Sequence, residues 1–139
     1  MSITVDTDPS RLDVGLVHRF LSTESTWARG IPRETVERAI RHSLCFGVYD
    51  GDMQVGFARV VTDTATHAWL CDVFVLDAHR GRGIARLLMD TVVAHPQLQG
   101  LRRFALATST ASWLYERYGF KPLAHPGIWM ERHDPDAYA

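Results

Sequence analysis

The chain has only two cysteines in 139 residues, Cys45 and Cys71. Each lies in an apolar stretch and neither belongs to a Cys-x-x-Cys pair, so a disulfide scaffold is excluded and buried reduced thiols are expected. The seven histidines are scattered without His-x-x-His spacing, so no metal site is expected. No apolar run approaches the roughly 18 residues that a spanning helix needs. The opening MSITVDTDPS lacks the basic-then-apolar pattern of a secretory signal, so a cytoplasmic protein is expected. Net charge is -1 and the pI about 6.6, which gives no bulk attraction to nucleic acid or an anionic membrane. No repeat, low-complexity tract or linker interrupts the sequence. With 46% hydrophobic residues, residues 1–139 read as a single domain with a real core.

What is present is organised around Asp72 to His95. Val73 to Leu76 is a continuous apolar run, as in a strand buried on both faces. Ile84, Leu87, Leu88, Thr91, Val92 and His95 then recur at helical spacing, giving one stripe toward a core. Between them lies Arg80-Gly81-Arg82-Gly83-Ile84-Ala85. The first amides of a helix lack internal partners and its dipole makes that end partly positive. Gly81 and Gly83 let an anion approach the backbone, and Arg80, Arg82 and Arg86 add charge, which suits a pyrophosphate. An ordinary strand-to-helix turn with solvated arginines is the plain alternative. A Walker loop is excluded because no Gly-Lys-Ser/Thr occurs. The dinucleotide fingerprint is disfavoured because Arg86 stands where its third glycine belongs.

The rest of the chain supplies the frame. Ile3–Val5 reads as a short strand. A helix capped at Asp8 or Ser10 carries Leu12, Leu16, Val17, Phe20 and Leu21 inward. A second helix starts near Pro32 with Val36 and Ile40 inside. Leu44–Tyr49 and Val55–Thr62 flank the Asp50-Gly51 hairpin signal, and His67–Leu76 follows. Arg103–Thr108 is expected to lie parallel to it after a right-handed crossover. A short helix, Ala111–Tyr118, stops at Gly119. Phe120–Leu123 and Ile128–Arg132 are expected to form a last pair of strands, with a polar tail from His133. The result is a mixed α/β fold, antiparallel first, with helices on both faces.

Two stretches carry a family resemblance. Arg80, Gly83 and Ala85, after a strand and opening a helix, resemble the Arg-x-x-Gly-x-Ala acyl-CoA signature of the GNAT N-acetyltransferases. Ala111-Ser-Trp-Leu-Tyr115-Glu-Arg-Tyr-Gly119-Phe120 resembles their Ala-x-x-x-Tyr-x-x-x-Gly-Phe segment. The resemblance implies a central parallel pair splayed at the acyl-CoA site, and transfer of an acetyl group from acetyl-CoA to an amine by direct attack. It implies a pyrophosphate on Arg80, Gly81, Arg82, Gly83, Ile84 and Ala85, and a pantetheine arm along the backbone of Val73 and Val75. It makes Tyr115 the group that protonates or hydrogen-bonds the departing thiolate, with a packed core tyrosine as the plain alternative. Thr108 stands where many relatives have Asn and offers a hydroxyl to the pantetheine, with Ser109 and Thr110 as alternatives or helix caps.

The general base is left open. Relatives often place Glu or His on the face of Val73, but alternation puts Cys71 and Trp69 there. Asp72 is the nearest carboxylate, pointing away unless a bulge rotates it, and a structural bond to a neighbouring loop is its plain alternative. His67, Asp63 and a water chain are the other options. Trp27, Trp69 and Trp129 are candidates to line an acceptor pocket, with core packing as their plain alternative. A small-molecule amine is the default acceptor, and a homodimer stays open. A non-catalytic acyl-CoA-binding sensor or accessory protein is the competing reading, with a nucleotide-binding module behind it.

Overall fold

The computed structural model describes residues 2–139. Five strands form one sheet in the order β1 (Ile3–Asp6), β2 (Leu44–Asp50), β3 (Met53–Thr62), β4 (His67–Val75) and β5 (Arg103–Leu106). The first four pair antiparallel, and β4 pairs β5 in parallel. Helices α1 (Val14–Arg19) and α2 (Arg33–Arg41) precede β2, α3 (Ile84–Ala94) crosses from β4 to β5, and α4 (Ser112–Glu116) follows β5. This is the mixed, antiparallel-first sheet that the hydrophobic pattern requires.

Strand alternation sorts the core into two layers. On one face α3 and α4 bury Ile84, Leu88, Met89, Val92, Leu114 and Tyr115 against Phe46, Val48, Ala58, Val60, Ala68 and Leu70. On the other, α1 and α2 set Val17, Val36 and Ile40 against Cys45, Phe57 and Phe74, and Phe20 stacks on Phe74 with ring centroids 4.0 Å apart. Each fully buried aliphatic on α3 contributes on the order of 1.5–3 kcal/mol, so α3 is fixed firmly enough to present its N-terminus as a rigid surface.

Two expectations are corrected. The first helix does not run from Pro9. Pro9–Arg11 is a single 3-10 turn capped by Asp8, and Leu12 is extended. Asp13 starts α1 afresh, its Oδ1 accepting from Leu16 N–H at 3.0 Å while its own N–H donates to Gln54 Oε1 at 2.8 Å. The other correction concerns the end of the chain. Phe120–Leu123 and Ile128–Arg132 are not strands. Alternation makes a strand only where an edge pairs with it, and Pro122, Pro126 and the 3-10 turn Pro126–Ile128 interrupt this segment.

Candidate active site

Register opens a cleft in the middle of the sheet. The parallel ladder ends at Leu70 opposite Leu106, yet β4 continues to Val75 with only β3 beside it. Leu76 N–H donates to Val55 O at 2.9 Å, so the peptide groups of Val75, one residue earlier, point to the open side. Val73 shares that parity. Arg80 reaches back from the turn, its Nε–H donating to Val75 O at 3.3 Å. The backbone of Val73 and Val75 thus lines the cleft.

The turn is built for close approach. Gly81 and Gly83 have φ of 77° and 75°, in the left-handed region that glycine tolerates. A Cβ at either position would meet no protein atom within 4 Å, so the space above both glycines is open. No side chain caps α3, so its first amides face that space. Ile84 is buried and anchors the helix end, and Ala85 is half-buried beside it. The arginines are held on the loop: Arg80 pairs with Asp77 at 2.7 Å, and Arg82 bonds His79 Nδ1 at 2.7 Å and lies 3.6 Å from Asp50.

Tyr115 sits on α4, 8% exposed, with its ring edge-on to Phe120 at 6.1 Å. Burial pushes the phenol above its ordinary value, so it stays protonated at neutral pH. Thr108, at the end of β5, accepts a hydrogen bond from Ala111 N–H at 3.0 Å, and its hydroxyl proton remains available to donate. Both residues border a cavity of about 780 Å³ between β5, α4 and residues 119–124.

A β-bulge decides the other side of the cleft. Arg59 pairs with Cys71 and Phe57 with Phe74, so Asp72 and Val73 together oppose Ala58. Asp72 takes φ 54°, an uncommon conformation for a side-chain-bearing residue. The extra residue reverses the parity of the strand. Val73 and Val75 pack toward α3, so the expected sharing of a face by Val73, Cys71 and Trp69 is corrected. Asp72 instead turns to the α1–α2 face, where Oδ2 accepts from Arg59 Nε at 2.8 Å and Oδ1 from Trp27 Nε1 at 2.9 Å. Arg59 and Asp72 also border a small cavity of about 50 Å³ under α1 and α2. Burial pushes the Cys71 thiol up to about 11 and that of Cys45 to about 12, so neither is a ready nucleophile.

The family description "Acetyltransferase (GNAT) domain" matches residues 41–122, more than half of the chain. The chain belongs to the GNAT acetyltransferase family. "Putative acetyltransferase FG08082" of Gibberella zeae is 32% identical over 133 residues, covering 80% of this chain and 74% of that protein. A crystal structure from Xanthomonas campestris pv. campestris, of a protein assigned to the GNAT family, is 57% identical and covers 100% of this chain and 98% of that one, with a TM-score of 0.97. A Clostridium acetobutylicum acetyltransferase crystallised with acetyl-CoA shares the fold at a TM-score of 0.68, with 16% identity over 95% of this chain and 96% of that one.

Within this GNAT domain the remaining candidates separate. Trp27 joins Asp72, and Trp69 lies on the same sheet face, 37% exposed. Trp129 lies instead at the far end of β5, its ring 5.2 Å from the Arg103 guanidinium. His67 and Asp63 lie at the start of β4, away from the glycine turn. Asp63 accepts from Ala65, Thr66 and His67 N–H and from the Thr66 hydroxyl, which holds its carboxyl well below the usual range and commits it to the turn. Ser109 and Thr110 are exposed in the β5–α4 loop. Two contributors were missed in the sequence. Arg59 is a charge inside the apolar run Val55–Val61, which itself signals a buried partner. Tyr118 braces α4 to α3, its hydroxyl bonding Asp90 Oδ1 at 2.7 Å and Arg86 O at 3.1 Å.

Proposed function

We propose that the protein transfers an acetyl group from acetyl-CoA to a small primary amine. The observation that carries this reading is the open end of β4, whose backbone at Val73 and Val75 has no neighbouring strand on the β5 side and leads into the uncapped N-terminus of α3. That cleft joins a strand edge suited to the amide groups of a pantetheine arm to a positive helix end suited to a pyrophosphate. Arg80, Gly81, Arg82, Gly83, Ile84 and Ala85 hold the phosphates, and Thr108 offers its hydroxyl proton to the arm. The acetyl-CoA in the Clostridium acetobutylicum structure supports the same ligand on the same fold.

The amine nitrogen attacks the thioester carbonyl, the C–N bond forms, and the C–S bond breaks with its electron pair on sulfur. Asp72 lies on the acceptor side and orients the amine. Trp27 and Arg59 engage both of its carboxylate oxygens, so the amine's proton leaves through water. Tyr115 donates a hydrogen bond to the thiolate. Its raised pKa lies above that of an ordinary thiol, about 8.5, so it stabilises the charge without full proton transfer. Trp27 and Trp69 give the acceptor an aromatic wall.

One observation favours a non-catalytic acyl-CoA binder instead: both Asp72 oxygens are engaged by protein groups. Release of the free CoA thiol from acetyl-CoA, followed across a panel of primary amines, separates the two readings. Amine-dependent thiol release is expected. Tight acetyl-CoA binding with no release for any amine would favour the binder.

A further inference from the structure

The small cavity under α1 and α2 has one wall that comes neither from the helices nor from the sheet. Leu21, Ile31, Val36 and Phe57 give it apolar sides. Arg59 and Asp72 also line it, but they pair at 2.8 Å and leave the lining without net charge. The remaining wall is Tyr138. Asp72 directly precedes Val73, whose backbone lines the cleft, so this cavity adjoins the strand stretch where the thioester is proposed to lie.

Two features seat Tyr138 there. Residues 134–139 fold back on themselves: Asp134 Oδ1 accepts from Asp136 N–H at 2.9 Å, Asp134 O from Ala137 N–H at 3.3 Å, and Asp136 O from Ala139 N–H at 3.0 Å. Gly30, in the connection between α1 and α2, leaves room for this turn. It takes φ 78°, and a Cβ there would stand 3.1 Å from Tyr138 O and 3.9 Å from Tyr138 Cβ. The bare backbone at Gly30 therefore lets Tyr138 settle against the connection. Tyr138 is 39% exposed, so one side meets the cavity and the other meets solvent. A residue so placed bounds the cavity without supporting the sheet.

The space it bounds is small. A water-sized group takes about 10–15 Å³ of such space, so a cavity of about 50 Å³ holds roughly four non-hydrogen atoms. Its apolar sides suit carbon, and its paired charges leave no free ion to hold a second charged group.

We propose that Tyr138 sets the size of the acceptor: the carbon chain of the amine enters this cavity with its nitrogen beside Asp72, and the Tyr138 ring limits how large that chain can be. The acceptor class is then a primary amine on a short, unbranched alkyl chain. This rests on the amine transfer proposed above and adds to it the residue that selects among amines.

The test compares the whole protein with Tyr138→Ala and Tyr138→Trp. Thiol release from acetyl-CoA is followed with n-butylamine and with 2-phenylethylamine, and the ratio of the two kcat/KM values is read for each protein. The wild type should prefer n-butylamine. Alanine removes the ring and should shift the ratio toward 2-phenylethylamine on the order of tenfold to a hundredfold, the range that a changed apolar contact gives. Tryptophan should shift it the other way. Acetyl-CoA affinity by calorimetry should stay within a few-fold in both variants. A ratio indifferent to both substitutions, a wild type that prefers 2-phenylethylamine, or equal slowing with both amines would each overturn the role of Tyr138 and leave amine transfer standing. Thiol release with no amine, in the wild type and in both variants, would remove the transfer and this inference with it.

Discussion

Tyr115→Phe removes one hydroxyl and nothing else of consequence. The ring is 8% exposed and keeps its edge contact with Phe120, and among the described residues none hydrogen-bonds the hydroxyl. Its loss therefore orphans no partner, and stability should change by less than about 0.5 kcal/mol. If the hydroxyl bonds the leaving sulfur, its contribution is realised mainly as negative charge develops there. A preorganised donor of that kind contributes on the order of a hundredfold in rate, about 2.7 kcal/mol of barrier. Single-turnover acetylation of an accepted amine, with acetyl-CoA affinity measured separately by calorimetry, gives the two numbers needed. The rate constant should fall about a hundredfold while affinity stays within a few-fold. Because burial raises this phenol, any loss of the wild-type rate from its ionisation should come at a higher pH than for a free phenol. An unchanged single-turnover rate in the Phe variant refutes the role. A fall in affinity equal to the fall in rate would make Tyr115 a binding residue.

Acetyl-CoA at about a hundredfold over its Kd should stabilise the protein by roughly 2.7 kcal/mol in thermal unfolding, with NAD and ATP far behind. Gly83→Val should abolish that shift and also lower the melting temperature of the protein alone, because φ 75° costs a side-chain-bearing residue about 1–2 kcal/mol. Normal acetyl-CoA binding in that variant would move the phosphates elsewhere. Arg80→Ala should weaken binding most at low salt, and equal weakening in 0.05 M and 0.5 M salt would argue against a charge contact. Arg59→Met should destabilise by about 2–4 kcal/mol by leaving Asp72 half-buried with only Trp27, a difference that urea unfolding resolves.

The elements that repeat at a clear period were legible from the residues alone. The α3 stripe, the Asp50-Gly51 hairpin and the apolar run before the glycine turn each satisfy one strong local rule, and each formed within a residue or two of expectation. The glycine turn was legible for a similar reason: two glycines flanked by arginines at a helix start answer to backbone geometry and charge, both of which are local. What failed depends on distant partners. Ile128–Arg132 has a strand's pattern but pairs with no edge among the described residues, and alternation cannot say whether an edge will pair with it. The first helix broke because Asp13 found Gln54, 41 residues away, for its N–H. Arg59 was missed because its partner lies across a hairpin whose register shifts at that point.

The bulge at Asp72 shows why the two sides of the site could not be read separately. Strict alternation along β4 would aim Ala68, Leu70, Asp72 and Phe74 toward α3, burying a carboxylate in an apolar layer. One extra residue opposite Ala58 removes that conflict. It sends Asp72 to the face where Arg59 and Trp27 can satisfy it, and Phe74 to the layer where Phe20 stacks on it. It also sends Val73 and Val75 toward α3, on the strand stretch that has lost β5 as a neighbour. A single backbone irregularity thus sets the open strand edge and the Asp72 carboxylate in one fixed relation. Asp72 at φ 54° is the residue on which that relation turns. Asp72→Gly would relieve the strain and preserve the bulge while removing the carboxylate and its two bonds. Asp72→Asn would keep the Trp27 bond and lose the charge and the bond from Arg59 Nε. If Asp72 orients the amine, both variants should raise the acceptor KM while leaving acetyl-CoA affinity intact, the glycine variant more. If its role were only to hold the bulge, the glycine variant would turn over like the wild type, and steady-state kinetics on the two proteins would refute the orienting role.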